Sequence, residues 1–289
     1  MRQIRTLTFI LIVSLVAVGR AQQTVRPTTT SQQANSQQAQ VQWGAMLYDD
    51  FNHKWLDPAK WAAAPAGGTS NYNEACYFSS NLLECVREIQ NDKLRLAVRS
   101  YGARDSNEGT QYGESKMMFT QPFVSLTADV VVRSTSSRGC PANTTDSWAQ
   151  AMFTGRFFNS GSGDPNDDVD AHITFAHTSL GDPGMLEVSG FLFWQGQYFG
   201  FVTVGSIPVG TPVRATLRWL PSSHKFTAGF ENLITHQHFA ADVPYSMPDT
   251  TPPTGYWDGL YVQVFPANCI GQQTSSQMEA TFDNVIINR

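Results

Sequence analysis

The segment at residues 168–172 carries three side chains that do acid–base chemistry, and they occur at every second position. Asp168, Asp170 and His172 alternate with Val169 and Ala171. Because successive side chains of a β-strand point to opposite faces, a strand here places both carboxyl groups and the imidazole on one face. A histidine titrates near neutral pH and serves as general acid or base, and a carboxylate serves as nucleophile or base. The segment is therefore the candidate catalytic site.

Other interpretations of this segment stay open. It follows the polar stretch 161–167, so its acidic residues also fit a solvated loop that leads into an ordinary strand. The same side chains can hydrogen-bond the hydroxyl groups of a sugar without any change in their pKa. Two carboxylates and a histidine also suggest a metal site, which the sequence supports weakly because another clear ligand is missing.

Aromatic residues make up 12% of the chain and offer material for a sugar-binding surface. The apolar faces of a sugar ring stack on aromatic rings, while its hydroxyl groups need polar side chains nearby. Trp194 and Tyr198 flank the sequence Gln-Gly-Gln at 195–197, and Trp148 and Trp257 are further candidates. The alternative is that these rings pack in a hydrophobic core, where β-sandwiches use aromatic residues freely.

The elements that must position these residues are predicted to be β-strands. Residues 93–99 alternate apolar and polar side chains, and residues 123–133 are rich in β-branched residues. Further short strand patterns follow, separated by clusters of Gly, Pro, Asn, Asp and Ser. Many short strands without a sustained helical period predict an all-β sandwich of two antiparallel sheets.

The N-terminal part of the chain is predicted to lie outside this domain. Residues 1–21 combine a basic start, an apolar run and small residues before the cleavage point, as in a secretory signal peptide. The run is shorter than the ~20 residues that span a membrane, which favours cleavage near Ala21 over a membrane anchor. Residues 22–42 hold mainly Gln, Thr, Ser and Ala and predict a disordered tether. Residues 43–289 then form one secreted domain, extracellular or periplasmic, without membrane insertion.

The cysteines and the net charge limit the cellular compartments and the kinds of partner that fit this chain. An exported chain with four cysteines predicts disulfides. Pairing Cys76 with Cys85 closes a short loop and pairing Cys140 with Cys269 a long one, although the sequence leaves the other two pairings open. A formal net charge of −5 argues against nucleic acid as a partner.

Stretches at the two ends of the predicted domain resemble a known family. Residues 49–61 contain Asp-Asp-Phe-Asn and Leu-Asp-Pro-Ala-Lys-Trp, and residues 282–285 read Phe-Asp-Asn-Val. With the strand at 93–99 and the segment 113–119 between them, they resemble the concanavalin A-like lectin/glucanase superfamily, and specifically glycoside hydrolase family 16. The resemblance implies a jelly-roll of two curved antiparallel sheets with a groove for a sugar chain on the concave face. It also implies that the two end stretches meet and close the domain.

The resemblance assigns roles to the candidate catalytic segment. The family signature is Glu-x-Asp-x-Glu on one concave strand, in which the first Glu is the nucleophile and the last is the acid/base. Residues 168–172 stand at the corresponding place, with Asp168 and His172 in the positions of the two glutamates and Asp170 retained. Because the motif is degenerate, the resemblance leaves it open whether this chain is an enzyme.

The resemblance further implies one structural calcium ion near the chain ends. An acid of the last strand would bind it, and Asp283 matches that acid, with Asp50 or Asp49 as its neighbour. Calcium takes about six to eight oxygen ligands, so backbone carbonyls would have to supply several. The alternative is that these acids only hydrogen-bond across closely packed end strands.

The sequence therefore favours a secreted, lectin-like protein that binds a polysaccharide or oligosaccharide. The first alternative is a divergent retaining endo-glycosidase that uses residues 168–172. The second is a non-catalytic envelope or adhesion module with the tether as its spacer. The chain is predicted to be a monomer, with no cofactor besides the calcium ion.

Overall fold

A computed structural model describes residues 44–62, 76–78, 83–255 and 257–289. The predicted signal peptide and tether lie outside the described residues. No helix among the described residues is long and apolar enough to cross a membrane. The strands of the described residues are β1 (Ala45–Asp49), β2 (Trp61–Ala62), β3 (Cys76–Phe78), β4 (Leu83–Ile89), β5 (Leu94–Tyr101), β6 (Gly113–Phe119), β7 (Ser125–Arg138), β8 (Trp148–Asn159), β9 (Asp168–Thr178), β10 (Met185–Trp194), β11 (Gln197–Pro208), β12 (Val213–Leu220), β13 (Lys225–Asn232), β14 (His238–Pro244), β15 (Gly259–Phe265) and β16 (Ser275–Asn288).

These strands form two antiparallel sheets. The first sheet has the order β14-β13-β12-β7-β16-β5-β4, with β1 paired to β16. The second has the order β11-β10-β9-β8-β15-β6-β2, with β3 paired to β6. The predicted all-β jelly-roll sandwich is therefore confirmed. We call the face of the second sheet that is turned away from the first sheet the outer face.

Alternation along the strands builds the core between the sheets. In β5, Leu94, Leu96 and Val98 are almost completely buried, while Arg95 and Arg99 stay partly exposed. Each apolar side chain buried in this way contributes about 1.5–3 kcal/mol to folding. The period of two in the sequence therefore fixes which face of the strand meets the second sheet.

The two ends of the domain pair with each other, as the sequence predicted. In the antiparallel ladder of β1 and β16, Met46 lies opposite Ile287 and Asp49 lies opposite Val285. Two disulfides are present: Cys76–Cys85 joins β3 to β4, and Cys140–Cys269 joins the segments that follow β7 and β15. The structure thus confirms the predicted disulfides and selects one of the three pairings that the sequence left open.

A β-bulge in β8 changes which side chains of this strand point to the outer face. The register between β8 and β9 shifts between Arg156 and Phe158. Because of the extra residue, Phe157 and Phe158 both belong to the core between the sheets. Arg156, just before the bulge, stays on the outer face, directly opposite Asp170 of β9.

Candidate functional site

Strand β9 carries the three predicted side chains on the outer face. Val169 and Ala171 belong to the core, whereas Asp168, Asp170 and His172 point the other way. These outer-face residues are nevertheless only 3%, 6% and 9% exposed. A polar group hidden to this degree costs about 1–3 kcal/mol if it stays unpaired, so its partners decide what it does.

Arg156 is the main partner of both aspartates, and the sequence interpretation missed it. Its Nε donates to Asp170 Oδ1 at 2.7 Å and its Nη1 to Asp168 Oδ2 at 3.1 Å. A second bond, from Nη2 to Asp170 Oδ2 at 3.3 Å, makes the contact with Asp170 bidentate. The only charged residue of a strand that is otherwise uncharged was the available signal, because a buried guanidinium requires a carboxylate on a neighbouring strand.

Asp168 also holds a loop in place. Its carboxylate accepts hydrogen bonds from Asn159 Nδ2 at 2.9 Å and from the Oγ1 of Thr254 at 2.6 Å. The backbone N–H of Thr254 adds a third at 3.0 Å, and the side chain of Asp168 is fully buried. These are the contacts of an anchor for the segment between β14 and β15. The catalytic role of Asp168 stays a prediction.

Asp258 is a second buried acid beside Arg156, and the sequence interpretation did not single it out. Its Oδ1 accepts from the backbone N–H of Arg156 at 2.7 Å, while its Oδ2 has no partner among the described residues. Burial raises the pKa of Asp258 to about 8, and the nearby Asp170 adds to this rise. Burial also raises the pKa of Asp170, against the opposing effect of Arg156. The proton is thus retained by Asp258 to a higher pH than by an exposed aspartate.

His172 is a neutral imidazole in this environment. Its ring stacks on Phe191 with centroids 4.7 Å apart, and neither ring nitrogen has a partner among the described residues. Burial, followed by the charge of Arg156, lowers the pKa of His172 to about 3. A general base works best when its pKa lies near the working pH, so His172 is a weak base near neutrality.

Trp257 packs against two cations on the outer face. Its ring centroid lies 5.6 Å from Cζ of Arg156 and 5.7 Å from Nζ of Lys116. Lys116 is fully buried and forms an ion pair with Glu114, which also accepts a hydrogen bond from Tyr112. Cation–π contacts of this kind stabilise buried charges. Trp257 therefore occupies a structural position here, and its predicted sugar contact remains untested.

Three aromatic residues form what we call the outer-face patch: Phe191 of β10 with Tyr198 and Phe201 of β11. Tyr198 is 68% exposed and Phe201 is 60% exposed. Phe191 lies beneath them, edge-on to Tyr198 at 5.1 Å and stacked with Phe201 at 6.3 Å. Since Phe191 also stacks on His172, the patch continues the face that carries the β9 residues.

The two remaining tryptophan candidates lie elsewhere. Trp148 stands at the far end of the outer face and stacks on Phe265 with ring centroids 4.2 Å apart. Trp194 points to the opposite side of β10, packs partly against the core and donates its Nε1–H to Ser160 Oγ at 3.1 Å. The four predicted sugar-binding residues therefore do not form one surface.

The acids near the chain ends have protein partners. Asp283 forms an ion pair with Lys93 and accepts a hydrogen bond from the backbone N–H of Asn284 at 2.8 Å. Asp50 accepts from the side-chain amide of Asn52 at 2.6 Å. A lysine supplies positive charge at Asp283, which favours the alternative of acids that only bond across the end strands, and the calcium ion stays a prediction.

We therefore expect that an excess of chelator leaves the melting temperature unchanged. The Lys93–Asp283 ion pair stabilises the end strand without a metal ion. The measurement is thermal unfolding with and without added calcium, after treatment with chelator. A calcium-dependent rise of several degrees that Asp283→Asn abolishes would instead support the calcium prediction.

Comparisons with known proteins concern the fold. No family model matches the sequence, and no curated protein sequence matches it. Among solved structures, lectin II from Ulex europaeus is 9% identical over 74% of this chain and 94% of its own, with a TM-score of 0.33. The CBM2 module of the evolved Dit protein of Lactobacillus casei BL23 phage J-1 is 11% identical over 85% and 97%, with a TM-score of 0.41. Scytalido-glutamic peptidase is 14% identical over 53% and 62%, with a TM-score of 0.33. The resemblance to glycoside hydrolase family 16 stays a prediction.

Proposed function

We propose that this protein binds a polysaccharide or oligosaccharide on the outer face of its second sheet. The observation that carries the proposal is the outer-face patch, in which Tyr198 and Phe201 are more than half exposed on one side of β11. Contiguous exposed aromatic rings on a stable strand are typical of a binding surface. Sugar rings stack on such rings through their C–H faces.

The polar surroundings of the patch suit the hydroxyl groups of a sugar. Glu187 and Thr203 are exposed on the same face of β10 and β11. Glu187 also accepts a hydrogen bond from Ser189 at 3.1 Å, which helps to hold its carboxylate in place. A carboxylate accepts hydrogen bonds and a threonine hydroxyl both donates and accepts them, which matches a ring of hydroxyl groups.

The alternative of a divergent glycosidase receives less support from the contacts. A retaining enzyme needs two carboxyl groups about 5–5.5 Å apart that both reach the sugar. Here one arginine binds Asp168 and Asp170 together, and the side chain of Asp168 is fully buried. We therefore place binding before hydrolysis, which also fits a non-catalytic adhesion module.

We further propose that the protein acts outside the cytosol. Disulfides persist in oxidising compartments, and the described residues contain two of them. The signal peptide at residues 1–21 and the monomeric state remain predictions. Mass determination of the mature secreted chain tests the cleavage near Ala21.

Removal of either exposed ring is expected to weaken polysaccharide binding about tenfold. Tyr198→Ala and Phe201→Ala each delete a stacking surface worth about 1–1.5 kcal/mol, and 1.4 kcal/mol corresponds to tenfold. Affinity electrophoresis with β-glucans, xylan, galactan and agar measures this loss, together with release of reducing sugar.

A matched control is available on another surface. Trp55 is 84% exposed and lies in the loop after β1, so Trp55→Ala removes an exposed ring away from the patch. It should leave binding unchanged. The proposal fails if none of the polysaccharides binds, or if Trp55→Ala weakens binding as much as the patch variants do.

A further inference from the structure

A cavity of about 580 Å³ opens on the opposite side of the β10–β11 hairpin from the outer-face patch. Trp194 and Phe199 line one wall, and Tyr245 and Met247 line the other. Its volume lies within the range of about 300–1,000 Å³ that is typical of small-molecule sites. The cavity therefore has room for a ligand of the size of a sugar ring.

The hairpin wall of the cavity is fixed by its turn. Gln195 and Gly196 adopt positive φ values of 50° and 74°, as a tight two-residue hairpin turn requires. Trp194 is held by its bond to Ser160, and the backbone N–H of Gln195 donates to Asn166 O at 3.0 Å. These contacts fix the orientation of the Trp194 indole in the absence of a ligand.

The opposite wall is equally well held. The Nε1–H of Trp219 donates to the hydroxyl of Tyr245 at 2.8 Å, and that hydroxyl donates to Asp249 Oδ2 at 2.5 Å. Near the cavity, Gly200 has a φ of 63°, and a Cβ there would lie 2.5 Å from Cγ1 of Val243. Only glycine allows β11 and β14 to approach this closely. Walls fixed in this way reduce the conformational entropy that the protein loses when a ligand binds.

The lining indicates the chemistry of the ligand. Aromatic rings from Trp194, Phe199 and Tyr245 provide apolar faces, and Gln195 and Gln197 add amide groups. None of the described residues that line the cavity carries a formal charge. A ligand with flat apolar faces and a rim of neutral hydroxyl groups matches this lining, because amides both donate and accept hydrogen bonds.

We propose that this cavity is a second binding site, which takes one neutral sugar ring. It goes beyond the proposed function because Trp194 and Phe199 point to the other side of the hairpin from Tyr198 and Phe201. The two sites are thus independent, and one polysaccharide molecule need not occupy both.

Saturation-transfer difference NMR with the methyl glycosides of glucose, galactose, mannose and N-acetylglucosamine tests the proposal on the intact protein. At least one glycoside should receive transfer from the protein. Trp194→Leu should weaken its binding at least about tenfold, since the indole is the largest stacking surface. Because Trp194 also packs against the core, Ser246→Trp serves as a second variant: Ser246 is exposed and lines the cavity, so a bulky ring there should block entry.

Tyr198→Ala separates this proposal from the outer-face proposal. It should leave the glycoside signal unchanged, whether or not it weakens polysaccharide binding. The cavity proposal is overturned if no glycoside receives transfer. It is also overturned if Trp194→Leu and Ser246→Trp both bind the glycoside like the parent protein. A third contradicting outcome is a signal that Tyr198→Ala removes while the two cavity variants keep it.

Discussion

Replacement of Arg156 by methionine is expected to lower the free energy of unfolding by about 3–5 kcal/mol. The guanidinium binds Asp168 and Asp170 at once, and methionine keeps the apolar stem but removes all these bonds. Two hidden carboxylates would then face each other without a counter-charge. Their repulsion and their lost hydration both act against the folded state.

The measurement is urea unfolding at neutral pH, compared with a matched ion pair on the surface. Arg214 binds Asp129 Oδ1 at 2.8 Å, but its side chain is 43% exposed. Since water screens an exposed pair, Arg214→Met should cost less than about 1 kcal/mol. Equal losses of unfolding free energy for Arg156→Met and Arg214→Met would show that water screens the contacts of Arg156 with Asp168 and Asp170 as well.

A compensating variant identifies the cause of the loss. Adding Asp168→Asn and Asp170→Asn to Arg156→Met removes the uncompensated charges while it keeps the side-chain volumes. Much of the lost stability should return, because breaking one partner of a buried pair is costlier than replacing the whole pair. If the triple variant is no more stable than Arg156→Met, packing around the methionine causes the loss instead.

The architecture could be predicted from the sequence because it depends on local patterns. The alternation of Leu94, Leu96 and Val98 identifies β5 and its buried face. The end stretches around Asp49 and Asp283 predict the closing strands, which pair as expected. Period-two patterns carry such information because each residue's face follows from its position in the strand.

The state of the candidate site could not be predicted in the same way, because it depends on contacts between distant segments. Asp168 is satisfied by Thr254, which lies 86 residues further along the chain. Asp258 precedes β15, and only the pairing of Gly259 with Thr154 brings it next to Arg156. The sequence shows charges at regular spacing, but burial decides whether they react, bind or support the fold.

The second large effect that we expect is a dependence of stability on pH, and its main source is Asp258. The pKa of this carboxyl rises from 3.8 to about 8 on folding because the group is buried. Between these two pH values, the folded state therefore keeps a proton on Asp258 that the unfolded state has lost. Stability from this group is present below pH 3.8 and is lost as pH rises to about 8, with a total loss on the order of 5 kcal/mol.

His172 acts in the opposite direction over part of this range. Its pKa falls from 6.5 to about 3 on folding, so the unfolded state binds the extra proton. Stability from His172 is present above pH 6.5 and is lost as pH falls toward 3. Between pH 3.8 and 6.5 the two slopes cancel. Only the Asp258 slope remains between pH 6.5 and about 8, where it lowers stability by roughly 2 kcal/mol.

Two variants separate these contributions in urea unfolding measured from pH 4 to pH 9. Asp258→Asn should remove the decline above pH 6.5, because an amide has no proton to lose there. His172→Phe keeps a flat ring against Phe191 and should extend the decline down to about pH 4, since the opposing slope is gone. Comparing each variant with the parent protein cancels the titration of groups that lie far from the substituted residue, whereas Asp170, which interacts with Asp258, titrates together with it. A parent curve without a decline above pH 6.5, together with an Asp258→Asn curve of the same shape, would show that Asp258 is ionised in the folded protein.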